Sequence, residues 1–168
     1  MHHHRPLRHR SHSGRRSGIA SPWPALGAVT GVRLPVADVD AIDDPSLALT
    51  LIGELASDPP AHETLVILLD TERRGSTIMI IHGTVDNDSV LHVADHVIER
   101  GHRIDHIGAV IIASMRPGGS DELDDIDRWL TIDEQLGLVG IELVEWFVIG
   151  RSVSCPRALL GDAPRWAA

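Results

Sequence analysis

The stretch of sequence that decides the fold reads IIASMRPGGSDELDDID and spans residues 111–127. It begins as an apolar run, which is typical of a buried strand, and then passes through the Pro-Gly-Gly sequence of a tight turn. An acidic cluster follows and opens a helix pattern that continues to Leu136. A loop between a buried strand and a helix start holds side chains rigidly and still exposes them. We therefore expect the functional site of this chain within residues 114–127.

Strand and helix patterns alternate on both sides of this stretch. Short runs of β-branched and aliphatic residues predict strands at 64–69, 76–81, 107–113, 141–149 and 152–154. Helical spacing predicts three helices, which begin at Asp43 or Asp44, at Asp88 or Ser89, and near Leu123. Glycines follow the second and third helices and are expected to end them at Gly101 and Gly137. The pattern indicates an α/β (α+β) fold in which helices flank a mixed sheet.

One strand is expected to lie at the centre of this sheet. The run at 107–113 is the most continuously apolar of the predicted strands, and such runs are buried on both faces. The first two strands are joined by a short polar connection that ends in Gly75, which predicts a hairpin.

The length and composition are those of one soluble domain with a tail. The chain has 168 residues, of which 43% are hydrophobic and 23% are charged. No apolar run approaches the ~20 residues that a bilayer span requires, so we expect no membrane association. The single cysteine, Cys155, cannot form an internal disulfide, and this fits a reducing compartment. We predict a cytoplasmic protein.

The chain divides into four predicted segments. They are a disordered Arg/His-rich tail (1–28), a linker with the N-terminal helix (29–60), the main domain (61–155) and a C-terminal segment that docks on it (156–168). The first 18 residues hold five of the 15 arginines and no acid. The remainder therefore carries a formal charge of −14, which repels nucleic-acid phosphates. DNA binding is expected only through residues 1–28.

Four motifs, taken in order, carry a resemblance to a known family. Residues 65–70 match the family's first core strand, and residues 82–86 read HGTVD in place of its Ser-Gly-Thr-x-Asp. Residues 113–119 read ASMRPGG in place of Ala-His-Asn-His-Pro-Ser-Gly, and residues 143–150 read LVEWFVIG in place of Leu-x-Asp-His-x-Ile-Ile-Gly. Over residues 62–153 the chain resembles the RadC-like branch of the JAB/MPN (JAMM) metalloprotease-like fold.

The resemblance implies both a fold and a chemistry. The implied fold is JAB/MPN-like, also described as cytidine-deaminase-like, with a mixed curved sheet flanked by helices. The family's chemistry uses two imidazoles and a carboxylate to hold Zn²⁺ with an open position for water. A glutamate accepts the proton of this water, and a serine helps to stabilise the oxyanion.

Most of this chemistry is missing when the family motif is carried over one position at a time. The two histidines fall on Ser114 and Arg116, the aspartate on Asp127, and the serine on Asp124. The glutamate is expected near residues 77–78, where the sequence has no acid. A guanidinium has no lone pair for a metal and stays charged. We therefore expect no zinc and no other cofactor.

The predicted ligand-binding site is the groove formed by the carried-over positions Ser114, Arg116, Asp124 and Asp127, with His82 beside them. Two arrangements of the arginine stay open. Its guanidinium either pairs with the carboxylate of Asp127 and supplies positive charge in place of the metal, or it points to solvent.

The expected function is that of a non-catalytic RadC-like protein that binds another protein or a small anionic ligand, or acts as a scaffold. The exposed edge of the hairpin is a second candidate surface, because it can accept a peptide strand. Formation of a homodimer is a further expectation. Two alternatives stay open: a JAMM-type peptidase or isopeptidase with a relocated metal, and a DNA-repair-associated protein that binds DNA through its basic tail.

Overall fold

The computed structural model describes Trp23, Leu26 and residues 33–101 and 106–166. Within these residues the chain forms three α-helices, one short 3₁₀ helix and a five-stranded sheet. The elements in order are α1 (Pro45–Leu55), β1 (Glu63–Leu69), β2 (Gly75–His82), α2 (Ser89–Gly101), β3 (Ala109–Met115), α3 (Asp125–Leu138), β4 (Glu142–Ile149), β5 (Val153–Ser154) and the 3₁₀ helix (Pro156–Leu160). The predicted mixed α/β class is confirmed.

The sheet is mixed and has the strand order β2-β1-β3-β4-β5. β1 runs antiparallel to both β2 and β3, whereas β3 and β4 are parallel and β5 returns antiparallel to β4. β3 is the central strand, and all of its residues are buried. Its continuous apolar run predicted this position, because a central strand is covered on both faces.

Two hydrophobic clusters fill the two faces of the sheet, since successive side chains of a strand point in opposite directions. On the first face, Ala48 and Ile52 of α1 pack in the same cluster as Ile67 of β1. On the second face, Val93 of α2 and Trp129 of α3 belong to the other cluster. The sheet therefore lies between one helix and two helices, and we refer to these sides as the α1 face and the α2/α3 face.

The start of α1 follows the predicted capping chemistry. The Oδ1 atom of Asp44 accepts hydrogen bonds from the backbone N–H groups of Ser46 and Leu47 at 2.5 and 3.2 Å. These bonds satisfy two donors that have no partner inside the first helical turn. Asp44 is thus one of the two N-cap residues that the sequence suggested.

The end of α3 differs from the prediction. The helix was expected to close at Gly137, yet it continues through Leu138. The left-handed backbone conformation is adopted by Gly140, whose φ is 78°. A glycine within the last turn of a helix costs only about 1 kcal/mol relative to alanine. The first glycine is therefore tolerated, and the second one makes the turn into β4.

The C-terminal segment, expected to dock on the domain, contacts both faces of the sheet. The Trp166 side chain is 7% exposed, and its ring stacks on that of Phe147 with the centroids 6.0 Å apart. Arg165 donates two hydrogen bonds to the carboxylate of Asp133, at 2.6 and 2.9 Å. Its guanidinium also lies 5.1 Å from the centre of the Trp129 ring.

A buried ion pair joins the same segment to β4. Glu145 and Arg157 are 1% and 3% exposed, and Nη2 of the arginine donates to Oε2 of the glutamate at 2.6 Å. Nη1 of Arg157 donates to the carbonyl oxygens of Asp162 and Ala163 at 3.0 and 2.6 Å. Burial, together with the nearby Glu145 carboxylate, raises the pKa of the Cys155 thiol to about 12. This thiol is therefore neutral near pH 7 and weakly reactive.

One residue corrects the prediction for the N-terminal tail. Trp23 lies inside the stretch 1–28 that was expected to be disordered, but its side chain is 1% exposed and belongs to the cluster on the α1 face. Leu26 packs against the same cluster. Burial of a large aromatic ring contributes several kcal/mol of favourable free energy, and this favours a fixed position for Trp23 on the domain. The rest of residues 1–28 lies outside the described part of the chain.

Candidate functional site

The site is built on the turn that follows β3, and this turn is fixed against the end of β4. The backbone N–H of Arg116 donates to the carbonyl oxygen of Ile149 at 2.7 Å, and Arg151 N–H donates to Gly119 O at 2.9 Å. A Cβ on Gly150 would lie 2.8 Å from Arg116 O and closer still to Gly119 O. Only glycine allows this approach of the two backbones. The arginine side chain therefore starts from a rigid position.

The central interaction of the site is a buried ion pair between Arg116 and Asp125. The two residues are 5% and 0% exposed. Both Nη atoms of the arginine donate to the carboxylate, at 2.7 and 2.8 Å, which is the bidentate geometry that guanidinium groups form best. The guanidinium lies 5.9 Å from the centre of the Trp146 ring. Its positive charge is thus neutralised by a residue of α3 inside the site.

A second arginine extends this pair into a network. Arg128 Nη1 donates to Asp125 Oδ1 at 2.9 Å and lies 3.3 Å from a carboxylate oxygen of Glu122. Its Nε atom donates to the carboxylate of Asp88, just before α2, at 2.7 Å. The backbone N–H of Glu122 also donates to Asp125, at 2.8 Å. Asp125 therefore joins the β3 turn to the start of α3, and Arg128 extends this connection to Asp88 at the start of α2.

The network shifts the pKa values of its members. Burial acts to raise the pKa of Asp125, but hydrogen bonds from Arg116, from the Glu122 backbone and from Arg128 outweigh it and hold the pKa below its usual value. Burial acts to lower the pKa of Arg128, and its bonds to Asp88 and Asp125 outweigh this effect and raise it. Both residues are therefore charged when the protein is folded near pH 7.

The lowered pKa of Asp125 predicts a loss of stability in acid. The unfolded chain binds a proton at an aspartate near pH 3.9, whereas the folded protein binds it only at lower pH. This contribution to the free energy of unfolding is fully present above about pH 5 and is lost as the pH falls through the folded pKa. Urea unfolding of the natural protein and of Asp125→Asn, compared at falling pH, should show a smaller acid-induced loss in the variant.

Asp127→Asn is the matched control for this titration, because Asp127 lies on the same helix but is exposed. Its acid-induced loss should equal that of the natural protein. If the free energy of unfolding of Asp125→Asn fell as much in acid as that of the natural protein, protonation of Asp125 would not be the cause of the acid-induced loss.

A small cavity lies beside the ion pair on the α2/α3 face. The Trp146 Nε1–H donates to Ser114 Oγ at 3.0 Å, and the hydroxyls of Thr64 and Thr84 are joined by a hydrogen bond of 3.1 Å. Ser114, Thr64 and Thr84 line a cavity of about 10 Å³ together with Arg116. Such a volume has room for about one water molecule. Ser114 is thus part of the predicted site, with its hydroxyl already used by a tryptophan.

Three of the five predicted site residues lie elsewhere, and two of these three belong to the start of α3. Neither of the two arrangements left open for Arg116 is found: its buried guanidinium pairs with Asp125, and the Asp127 side chain is exposed. Successive helical residues are about 100° apart, so a carboxylate two positions later points away from the turn. Asp124 precedes α3, is exposed, and makes no capping hydrogen bond through its side chain.

His82 lies on the opposite face of the sheet from Ser114. It is paired in register with Glu63, whereas Ser114 is paired with the next residue, Thr64. Adjacent residues of a strand point to opposite faces, and this separates the two side chains. The His82 side chain is 68% exposed, and its Nδ1 atom lies 3.0 Å from Oε2 of Glu63. The structure therefore does not bring His82 into the predicted groove.

Three residues that were not among the predicted site residues make short hydrogen bonds through their charged side chains. Asp125 and Arg128 belong to the network, and Glu63 is fully buried on the α1 face. The Glu63 carboxylate accepts hydrogen bonds from the backbone N–H and the hydroxyl of Ser57, at 2.7 and 2.6 Å. An acid at the start of an otherwise apolar strand was a usable signal for Glu63. No comparable signal separates Asp125 from its acidic neighbours.

The residues at the carried-over positions do not fit zinc. The first histidine position holds a hydroxyl bonded to Trp146, and the second holds the guanidinium of Arg116. The carried-over carboxylate, Asp127, is exposed on α3. A zinc site needs neutral or anionic donors that converge within about 2.0–2.3 Å of one point. Within the described ranges, no group of three or more His, Cys, Asp or Glu side chains is arranged to hold a metal ion.

Comparisons with known proteins leave the family of this chain open. No family model matches the chain, and no curated protein matches it at a significant level. Among the described helices, none is both long enough and apolar enough to cross a membrane.

Proposed function

We propose that the chain is a non-catalytic, RadC-like domain of the JAB/MPN type that binds another protein or serves as a scaffold. The order of a helix, a hairpin and two further helix–strand units, from which the resemblance came, is the order of elements in the fold. The motif-like residues 82–86 and 113–119 lie at the end of the β1–β2 hairpin and at the turn after β3, respectively. These agreements support the family proposal through topology and motif position.

The observation that carries the non-catalytic part is the buried pair of Arg116 and Asp125. The family places a zinc-binding histidine at the position of Arg116, and here a cation is held there by a carboxylate at 2.7 and 2.8 Å. A guanidinium has no lone pair to offer a metal, and the carboxylate beside it already accepts hydrogen bonds from both of its Nη atoms. The ion pair therefore supplies the connection between turn and helix and opposes metal binding at the same point.

The geometry favours a protein partner over a small anionic ligand. Both Nη atoms of Arg116 already donate to Asp125, so an anion would have to replace a bidentate partner. The neighbouring cavity of about 10 Å³ is also far smaller than the several hundred Å³ of a typical small-molecule pocket. A binding function is therefore expected on the surface of this domain.

Metal content tests the non-catalytic proposal. Histidines bind transition metals, so the full chain should be prepared with the tail histidines replaced by serine at positions 2, 3, 4, 9 and 12. After incubation with zinc and dialysis, mass spectrometry should find far less than one zinc per chain. Thermal unfolding should be the same with and without a chelator, since no metal contributes to folding.

The chain with its natural tail, treated in the same way, is the control, and it should retain zinc that the serine variant does not. About one tightly held zinc per chain in the serine variant would overturn the proposal. A chelator-sensitive melting temperature in that variant would do the same.

A further inference from the structure

The outer edge of β2 has unpaired backbone groups. β2 is the first strand of the sheet, and β1 is its only neighbour among the described strands. The N–H of Gly83 donates to His62 O at 2.8 Å, and hydrogen-bonded pairs alternate along antiparallel strands. The backbone groups of Ile78, Ile80 and His82 therefore point away from β1. We call these three residues the open edge.

Among residues 33–101 and 106–166, the segment that pairs with the outer side of β2 does so at the beginning of the strand. The N–H of Asp38 donates to Gly75 O at 3.0 Å, and Ala41 forms an isolated bridge with Arg74. This segment forms a turn beside the start of β2, because Val39 N–H and Asp40 N–H both donate to Val36 O. The open edge thus follows directly after the part of β2 that pairs with Asp38 and Ala41.

The side chains of the open edge lack the features that protect free strands. Natural edge strands commonly carry charged residues or proline, or they are short and twisted away. Residues 78–82 contain no proline, lysine, arginine or acid. Ile78 and Ile80 are 40% and 38% exposed on the α1 face. The edge is therefore suited to accept a strand.

A groove on the α1 face lies next to this edge. It has a volume of about 160 Å³ and is bounded by residues 35–37 on one side and by Ile78 on the other. Its lining includes Ile42, Leu51 and Ile67. An apolar cavity of about 150 Å³ accepts a group the size of benzene. The groove therefore has the size and polarity to bind one aliphatic side chain.

Charge decides which kind of segment fits this groove. The segment that forms its outer wall continues into Asp38, Asp43 and Asp44, which are all exposed. Residues 19–168 carry a formal charge of −14, so an acidic segment would be repelled. A second copy of this acidic domain would meet the same repulsion over most of its surface. A basic segment would be attracted.

We propose that the open edge and the groove bind an extended peptide of a partner protein, which adds to the sheet as a strand beside β2. One aliphatic side chain of the peptide fills the groove, and arginine or lysine residues on either side of it lie near the carboxylates of Asp38, Asp43 and Asp44. This inference rests on the proposed binding function and names its partner class. The zinc measurement tests only the non-catalytic proposal, and the peptide measurement tests only strand binding at the open edge. Either proposal can therefore fail while the other stands.

The test uses the full chain and a labelled peptide, acetyl-Arg-Val-Leu-Val-Arg-amide, in fluorescence anisotropy. Binding should be saturable and should weaken as salt is added, because charges contribute to it. Ile78→Arg should weaken binding at least tenfold, because it adds positive charge and blocks the groove. Leu138→Arg is the matched control, since Leu138 is 82% exposed on α3 and its substitution should change the affinity less than twofold.

Backbone pairing is tested separately from side-chain contact, so the result does not depend on the folding of a variant. Of two peptides that are N-methylated at alternate residues, the one whose methyl groups face β2 should lose binding, and the other should retain it. Amide hydrogen exchange of the full chain should slow at Ile78, Ile80 or His82 when the unmethylated peptide is added.

Three results would overturn the proposal. The first is a lack of saturable binding, or equal binding of both methylated peptides. The second is much tighter binding after the five tail arginines of residues 1–18 are changed to serine, which would identify the chain's own tail as the occupant. The third is a dimer in sedimentation that Ile78→Arg dissociates, which would identify a second copy of the chain.

Discussion

Replacing Asp125 with alanine is expected to lower the free energy of unfolding by about 3–5 kcal/mol. The substitution leaves the guanidinium of Arg116, which is 5% exposed, without the carboxylate that receives both of its Nη atoms. It also removes one of the partners of Arg128. An unpaired charge in the interior costs far more than the pair contributed, because the desolvation of that charge is no longer offset. Urea unfolding at pH 7 measures the effect.

The matched control is Asp127→Ala, because Asp127 lies on the same helix and is the residue that the family motif selects. Its side chain is exposed, so the expected change is within about 0.5 kcal/mol. If the two substitutions had equal effects, the buried pair would not stabilise the junction between the β3 turn and α3. The non-catalytic proposal would then lose its structural basis.

A double substitution separates the charge from the packing. Arg116→Met together with Asp125→Leu removes both buried charges and keeps apolar volume, which is often neutral or stabilising in comparable pairs. Arg128 still has Asp88 and Glu122 as partners in this protein. We expect the double variant to be at least 2 kcal/mol more stable than Asp125→Ala. A double variant as unstable as the single one would mean that the charges themselves are required.

These substitutions also bear on function. The Arg116–Asp125 pair is part of the folded framework, because its buried hydrogen bonds join the β3 turn to α3. The largest effects of changing Arg116 or Asp125 should therefore appear in unfolding experiments, with small effects on peptide binding at the open edge.

The sheet was predictable from the sequence because its signals are local. The central strand is a continuous apolar run, and the hairpin strands are short runs separated by a polar connection that ends in Gly75. Asp44 was identified as one of two candidate caps, because its residue type and its position before an apolar pattern define a helix start. None of these predictions required knowledge of distant contacts.

The partner of Arg116 was not predictable in the same way. Asp124, Asp125 and Asp127 lie within four residues of sequence, and each has a carboxylate. Which one faces the turn depends on where the first helical turn begins, and a shift of one residue rotates a side chain by about 100°. Helix ends are uncertain by one or two residues from sequence, so the pattern could not select Asp125 in place of Asp127.

The pair of Glu145 and Arg157 was also missed, for a different reason. Glu145 lies within the apolar run of β4, and its charge was a signal that some partner must exist. The arginine that pairs with it belongs to a segment beyond β5, whose path over the sheet is set by packing of Trp166 on Phe147. The sequence indicated that Glu145 requires a partner. Which residue is that partner depends on the tertiary packing of the C-terminal segment.

Replacing Arg157 with alanine is expected to have the second large effect, a loss of about 3–5 kcal/mol in the free energy of unfolding. Glu145 is 1% exposed and would lose the cation that pairs with its carboxylate. The carbonyl oxygens of Asp162 and Ala163 would also lose their donor, so the end of the chain should loosen. Near-ultraviolet circular dichroism should report this loosening through the stacked rings of Trp166 and Phe147.

Arg165→Ala is the matched control for Arg157, because both arginines lie in the C-terminal segment and both bind a carboxylate. The side chains of Arg165 and Asp133 are 30% and 28% exposed, so water can solvate Asp133 after the arginine is removed. The expected loss is about 1 kcal/mol, which includes its contact with the Trp129 ring. Equal losses for the two variants would show that burial does not determine how much stability is lost when one member of an ion pair is removed. The loss expected for Asp125→Ala would then also lack its physical basis. A markedly larger loss for Arg157 would support both pairs, since the same desolvation of a single buried charge underlies each expected effect.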